Sequence, residues 1–194
     1  MDERTFLLPL PAPRTMAEMI REATRLAEVS MRKKGTLVPC LLAATPDGLL
    51  LHHPSALDTE EEKDRFVMES RLILLATAVE RCAVVLETWV ALSKRGRLPD
   101  CPPSESPDRI EAVSIVAEER GSECRMVLLP TVRDHVGRFV HFGDDVAPPG
   151  VVVQGRFAQQ LPPKPPTQND AETARLYLGT MGIKIPSSKG FSTN

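Results

Sequence analysis

The chain has 194 residues, a hydrophobic fraction of 42% and a formal net charge of −2. That length holds one domain with extensions, and with aromatics at only 4% its core must be packed mainly by aliphatic side chains. The charge balance opposes a dedicated nucleic-acid binder, which carries a basic face, and no run approaches the roughly 18 apolar residues of a membrane span.

Residues 1–14 contain Pro9, Pro11 and Pro13 and read as an extended arm. The Met-Asp-Glu-Arg start and the short Phe6–Leu10 patch do not make a secretory signal. A helix is expected from Thr15, which stands three residues before Glu18 at capping-box spacing. Met16, Met19, Ile20, Ala23, Leu26 and Ala27 recur at helical spacing, and Gly35 ends the helix after the basic turn Arg32-Lys33-Lys34. Thr36 to Ala44 is strand-like, with Pro39 placed at an edge, a bulge or the strand start. Pro46-Asp47-Gly48 signals a turn, and Leu49 to His53 returns as the second arm of a hairpin.

Thr59 and Glu62 repeat the capping-box spacing and open the strongest helix. Its second half is apolar almost all round, which predicts a helix packed between the sheet and another layer. Ala83 to Leu92 reads as a strand, although no glycine or proline breaks the helix before it. Ser93 to Asp108, with four prolines, is a loop that carries the basic cluster Lys94-Arg95-Gly96-Arg97. Arg109–Glu118, Cys124–Val132 and Gly137–Phe142 follow as strands joined by connections too short for parallel returns, so they form an antiparallel meander.

Val151 to Phe157 is expected to add one more strand. Leu161-Pro-Pro-Lys-Pro-Pro166 is a polyproline linker, and Asp170 to Gly179 a short helix. The expected organisation is therefore an arm (1–14), one domain (15–146), and a proline-rich linker and tail (147–194). Local connections throughout make the class α+β, an antiparallel sheet of about five strands with helices covering one face. This order of helix, hairpin, helix, strand and meander resembles that of the roadblock and longin group. The resemblance covers roughly residues 15–145 and implies a sheet placed between helices.

Candidate chemistry is sparse. Cys40, Cys82, Cys101 and Cys124 lack the short spacing of a zinc or redox motif, which suits unpaired thiols in a reducing cytoplasm. His52 and His53 are adjacent on a strand end, so alternation sends their rings to opposite faces and no metal site is expected. Pro107-Asp108, Glu118 and Arg120 echo the carboxylate pattern of metal-dependent nucleases. Arginine replaces the required lysine, however, and the two acids lie at opposite ends of one strand, roughly 30 Å apart. No nucleophile elbow or phosphate-binding glycine loop occurs, so no cofactor is expected.

Two functions compete. The first is a non-enzymatic protein-binding, scaffold or regulatory module that binds a protein partner or itself. Val85, Trp89 and Ala91 are its candidate contact residues if that strand face is open. The second is a small hydrolase-like enzyme with a site assembled from Glu87, Cys124, His135 and His141, since a Cys–His pair can activate a thiolate. It requires those groups to converge in one pocket.

Overall fold

Side chains at the helix starts fix where both long helices begin. In the computed structural model, which describes residues 4–91, 101–122, 124–148, 153 and 155–186, helix α1 spans Met16–Lys34 and α2 spans Glu60–Thr77. The Glu18 N–H donates to Thr15 Oγ1 at 3.1 Å, while the Glu18 carboxylate accepts from the Arg14 N–H at 2.6 Å. The return bond thus reaches one residue beyond a capping box. At α2 the box is complete: the Glu62 N–H donates to Thr59 Oγ1 at 3.2 Å, and the Thr59 N–H donates to Glu62 Oε2 at 2.9 Å.

The strands are β1 (Thr5–Leu8), β2 (Cys40–Thr45), β3 (Gly48–His52), β4 (Arg81–Ala91), β5 (Arg109–Glu119), β6 (Arg125–Arg133) and β7 (Phe139–Phe142). They form one antiparallel sheet in the order β1-β3-β2-β4-β5-β6-β7. The class is α+β as expected, but the sheet has seven strands, not about five. The arm contributes one of the extra strands, because Thr5 to Leu8 pair with His52 to Leu49. Gly48 makes this approach possible: at φ 138° a Cβ there would lie 3.0 Å from the Leu10 carbonyl oxygen.

Helices cover both faces of the sheet, not one. The period-2 alternation of the strands supplies two apolar faces. Leu42, Leu49, Ala83, Val85, Val113, Ile115 and Ala117 pack beneath Met19, Ala23, Ala27 and Met31 of α1. Leu41, Ala43, Leu50, Cys82 and Val84 pack beneath Phe66, Ile73 and Leu74 of α2. Helix α3 (Gln168–Thr180) then lies on α2 through Ala174 and Leu178, so α2 is the middle layer its apolar surface predicted. The expected strand over 151–157 is not formed at the described positions 153 and 155–157. The Lys94–Arg97 cluster lies outside the described residues.

The chain leaves α2 without glycine or proline. Ala78 adopts φ 50°, ψ 35° and its N–H bonds to the Leu75 carbonyl. An L-residue in this left-handed conformation costs about 1 kcal/mol. Arg120 offsets that cost by donating from Nη2 to the Val79 carbonyl at 2.5 Å. Because Ala78 is exposed, Ala78→Gly should relieve the strain without losing packing. Thermal unfolding should show a gain of about 1 kcal/mol, or roughly 2–4 °C in Tm.

Candidate functional site

Alternation along β5 places Ala112, Ser114, Val116 and Glu118 on the α2 side of the sheet, and all are buried. An acid at the end of such a row needs partners, and it finds them in main chain. Glu118 Oε1 accepts the Gln160 N–H at 2.9 Å and Oε2 accepts the Leu161 N–H at 2.9 Å. Two residues on, Arg120 donates from Nη1 to the carbonyls of Pro162 (2.5 Å) and Lys164 (2.8 Å). Its Nε pairs with Glu80 at 3.3 Å, and its side chain is only 5% exposed. A carboxylate and a guanidinium thus hold both polarities of one irregular backbone segment, with charge-assisted bonds throughout.

The held segment covers the sheet end. Ala158 and Val153 pack with Val116, against half-buried Cys124 and Met126. Its fit has two flaws. Gln159 adopts φ 55° without being glycine, which costs about 1 kcal/mol. Gln160 is buried, and its Oε1 has no hydrogen-bond partner among the described residues, a cost of about 1–3 kcal/mol. Beside the segment runs an open cavity of about 1240 Å³, lined by Gly121, Ser122, Cys124, Arg125, Pro148 and Pro162 among others.

A second polar cluster sits at the other end of the same ladder, on the α1 side. Arg133 donates to Glu111 through both Nε and Nη2 and to the Gly35 carbonyl at 3.0 Å, tying β6 to the end of α1. Glu87 Oε2 accepts the Leu37 N–H at 3.2 Å, and Glu87 Oε1 lies 3.7 Å from Arg133. Burial, then the neighbouring Glu111, raises the Glu87 carboxyl above its ordinary value. The bond from Arg133 holds Glu111 below its own. Trp89 is 44% exposed at this end, and the Arg109 guanidinium lies 4.7 Å from its ring centre.

A third network is centred on a buried histidine. His52 Nε2 lies 3.1 Å from Glu69 Oε2, and His52 Nδ1 lies 2.9 Å from Thr5 Oγ1. Arg4 also reaches Glu69, at 3.2 Å. A ring that donates from Nε2 to the carboxylate leaves Nδ1 to accept the Thr5 hydroxyl. This hydroxyl–imidazole–carboxylate order has the chemistry of a nucleophile relay. His52 is fully buried and stacks on Phe66, Thr5 and Arg4 are half-buried, and their bonds fasten β1 to β3 and α2.

The structure does not bring the four expected catalytic residues together. Glu87 faces α1, whereas Cys124 lies on the α2 side at the start of β6. His141 pairs with Val132 at the far end of β6, about 26 Å of strand from Cys124, and His135 lies in the turn beyond. Both histidines are exposed. Burial, with the Glu118 charge adding to it, pushes the Cys124 thiol up to about 11, which suppresses thiolate chemistry.

Nor do Val85, Trp89 and Ala91 form an open patch, because Val85 is 1% exposed beneath α1. Among the described residues no three of His, Cys, Asp and Glu could together hold a metal ion. In the sequence Glu118 and Arg120 stand out only as fragments of a nuclease pattern. The signal that marks Glu118 is the alternation that aligns it with Val116 and Ala112. Compared with known proteins, the chain matches no family model, no curated protein and no solved structure.

Two outcomes follow from this geometry. Arg120→Ala strips carbonyls of the tail and of the α2–β4 turn of their shared donor. It should cost about 3 kcal/mol, with Arg120→Lys recovering less than half of it in denaturant titration. Glu87 binds its proton more tightly folded than unfolded, so the native protein loses stability as pH rises from the ordinary 4.5 through the raised folded value. Glu87→Gln should remove this slope and be relatively more stable at pH 7 than at pH 4.5. Glu111, shifted the other way, contributes its own slope only below 4.5.

Proposed function

We propose that this chain is a non-enzymatic protein-binding module, a scaffold or regulatory domain that engages a protein partner or a second copy of itself. The observation that carries this reading is the Glu118–Arg120 clamp, which binds four main-chain groups of one segment. Recognition of a peptide backbone by fixed donors and acceptors is how many peptide-binding surfaces obtain affinity. Exposed Leu176 and Tyr177 on α3, at 71% and 59%, supply apolar surface of the kind such contacts use.

A reducing cytoplasm is the proposed location, supported by four free cysteines, of which Cys40 and Cys82 are buried. No helix among the described residues is long and apolar enough to cross a membrane. Helix, hairpin, helix, strand and meander succeed one another between residues 16 and 142. That succession supports a roadblock- and longin-like order.

A small hydrolase-like enzyme is the second reading. It is favoured by one observation, the half-buried Glu87 held beside Glu111 with opposite shifts of their carboxyls. Two carboxyls driven apart in this way suit acid–base work.

Native mass spectrometry of the protein purified gently from its host separates the two. The binding reading expects masses at integer multiples of 21.3 kDa or with added protein. A bare monomer carrying a small mass that denaturation removes would replace it with the enzyme reading.

A further inference from the structure

We propose that the Glu118–Arg120 clamp is a binding site for a proline-containing peptide of a partner, and that residues 158–164 are its built-in, displaceable occupant. This rests on the binding-module reading above and names the ligand of that same site.

The bonds that define the site go to backbone. Glu118 takes the N–H groups of Gln160 and Leu161, and Arg120 gives to the carbonyls of Pro162 and Lys164. Those contacts are blind to side-chain identity, so another peptide with the same backbone course satisfies them equally. The order of the bonds is nonetheless selective. Two free N–H groups must come first, followed by carbonyls from residues that need no N–H of their own, which is where prolines fit. Proline also fixes its own φ, so such a peptide loses less entropy when it docks.

With the segment seated, Glu118 is 6% exposed and the Arg120 side chain 5%, so the bonds to the segment are made out of water, where charge-assisted bonds are strongest. The resident occupant is an imperfect one. It carries the left-handed Gln159 and the unpaired Gln160 Oε1, neither of which the clamp demands. Beyond it, α3 is seated by Ala171, Ala174 and Leu178, while the larger Leu176 and Tyr177 point to solvent. The adjoining cavity, about 1240 Å³ along Gly121, Ser122, Arg125 and Pro148, gives an incoming chain room to enter beside the resident segment. A partner's peptide free of both flaws therefore competes with the tail, and its entry releases α3 from α2.

The test uses the full chain and a labelled synthetic peptide. The peptide has the 156–166 sequence with glycine in place of Gln159 and alanine in place of Gln160. Because the tethered segment competes at an effective concentration on the order of millimolar, the titration must extend to several millimolar.

Three results are expected. Binding is saturable. At saturation, amides 160–161 and 171–178 exchange with deuterium roughly tenfold faster, as the tail leaves. N-methylation of the two peptide amides that face Glu118 weakens binding at least roughly tenfold, the value of one charge-assisted hydrogen bond. The proposal is overturned by no saturable binding, by binding that leaves tail exchange unchanged, or by equal binding of the N-methylated peptide. These controls lie in the peptide, so they do not depend on a protein variant that folds. A protein that assembles in native mass spectrometry yet ignores the peptide keeps the binding-module reading and loses this site.

Discussion

The β4–β5 ladder runs in unbroken register from Arg81 opposite Glu119 to Ala91 opposite Arg109, with the α1 core on one face and the α2 core on the other. Its two faces are both apolar, so a slip of one residue would exchange the side chains meant for α1 with those meant for α2. Charges at the ends resist such a slip. Arg81 pairs with Glu119 directly across the ladder, and Arg109 lies over the Trp89 ring at the opposite end. Between these ends the pairs Ala83–Ala117, Val84–Val116 and Val85–Ile115 are buried on alternate faces. Small residues dominate this stretch, which lets α1 approach through Ala23 and Ala27.

Polar side chains do a different job, attaching the outlying chain to this frame. Glu118 and Arg120 hold the tail, Arg133 and Glu87 hold the turn after α1, and His52 with Glu69 holds the arm. In each case one member is a charged group wholly or partly removed from water, and its partners come from a distant part of the sequence. Such groups contribute little beyond what an apolar replacement would, but leaving one unpaired is costly. They therefore act less as glue than as a condition on where the outlying segments must lie.

The tail is held by apolar contact as well as by polar bonds. Ala174, Leu178 and Ile183 are buried in the core beneath α2, Phe157, Leu161, Met181 and Ile185 pack beside them, and Arg175 donates to the Ala76 carbonyl at 2.6 Å. The backbone bonds at residues 160–164 lie where conformational strain and an unpaired amide oxygen also gather. Local strain of this kind lowers the stability of the stretch that carries it. That combination separates residues 155–186 from the sheet and long helices in physical character as well as in sequence.

Much of the fold was legible in local sequence because its signals are local. Thr15, Thr59 and Gly35 mark helix ends by hydrogen bonds within a few residues, and the short connections at Pro46–Gly48, Glu119–Ser122 and Arg133–Val136 permit only antiparallel neighbours. The class and the two long helices, with the hairpin and meander, followed from these alone. What only the tertiary structure decided was everything that depends on partners far apart in the chain. Periodicity could not show that Thr5 to Leu8 would pair with β3, because a four-residue strand beside three prolines has no pattern of its own. Nor could it show that helices would cover both faces, since that depends on which side each crossover takes. Glu87, Cys124, His135 and His141 looked like possible companions as residue types, and register alone places them on opposite faces and ends. Glu118 and Arg120 looked like remnants of a nuclease pattern, yet their partners lie some forty residues downstream in a proline-rich stretch, and a buried charge takes its meaning from the group it faces.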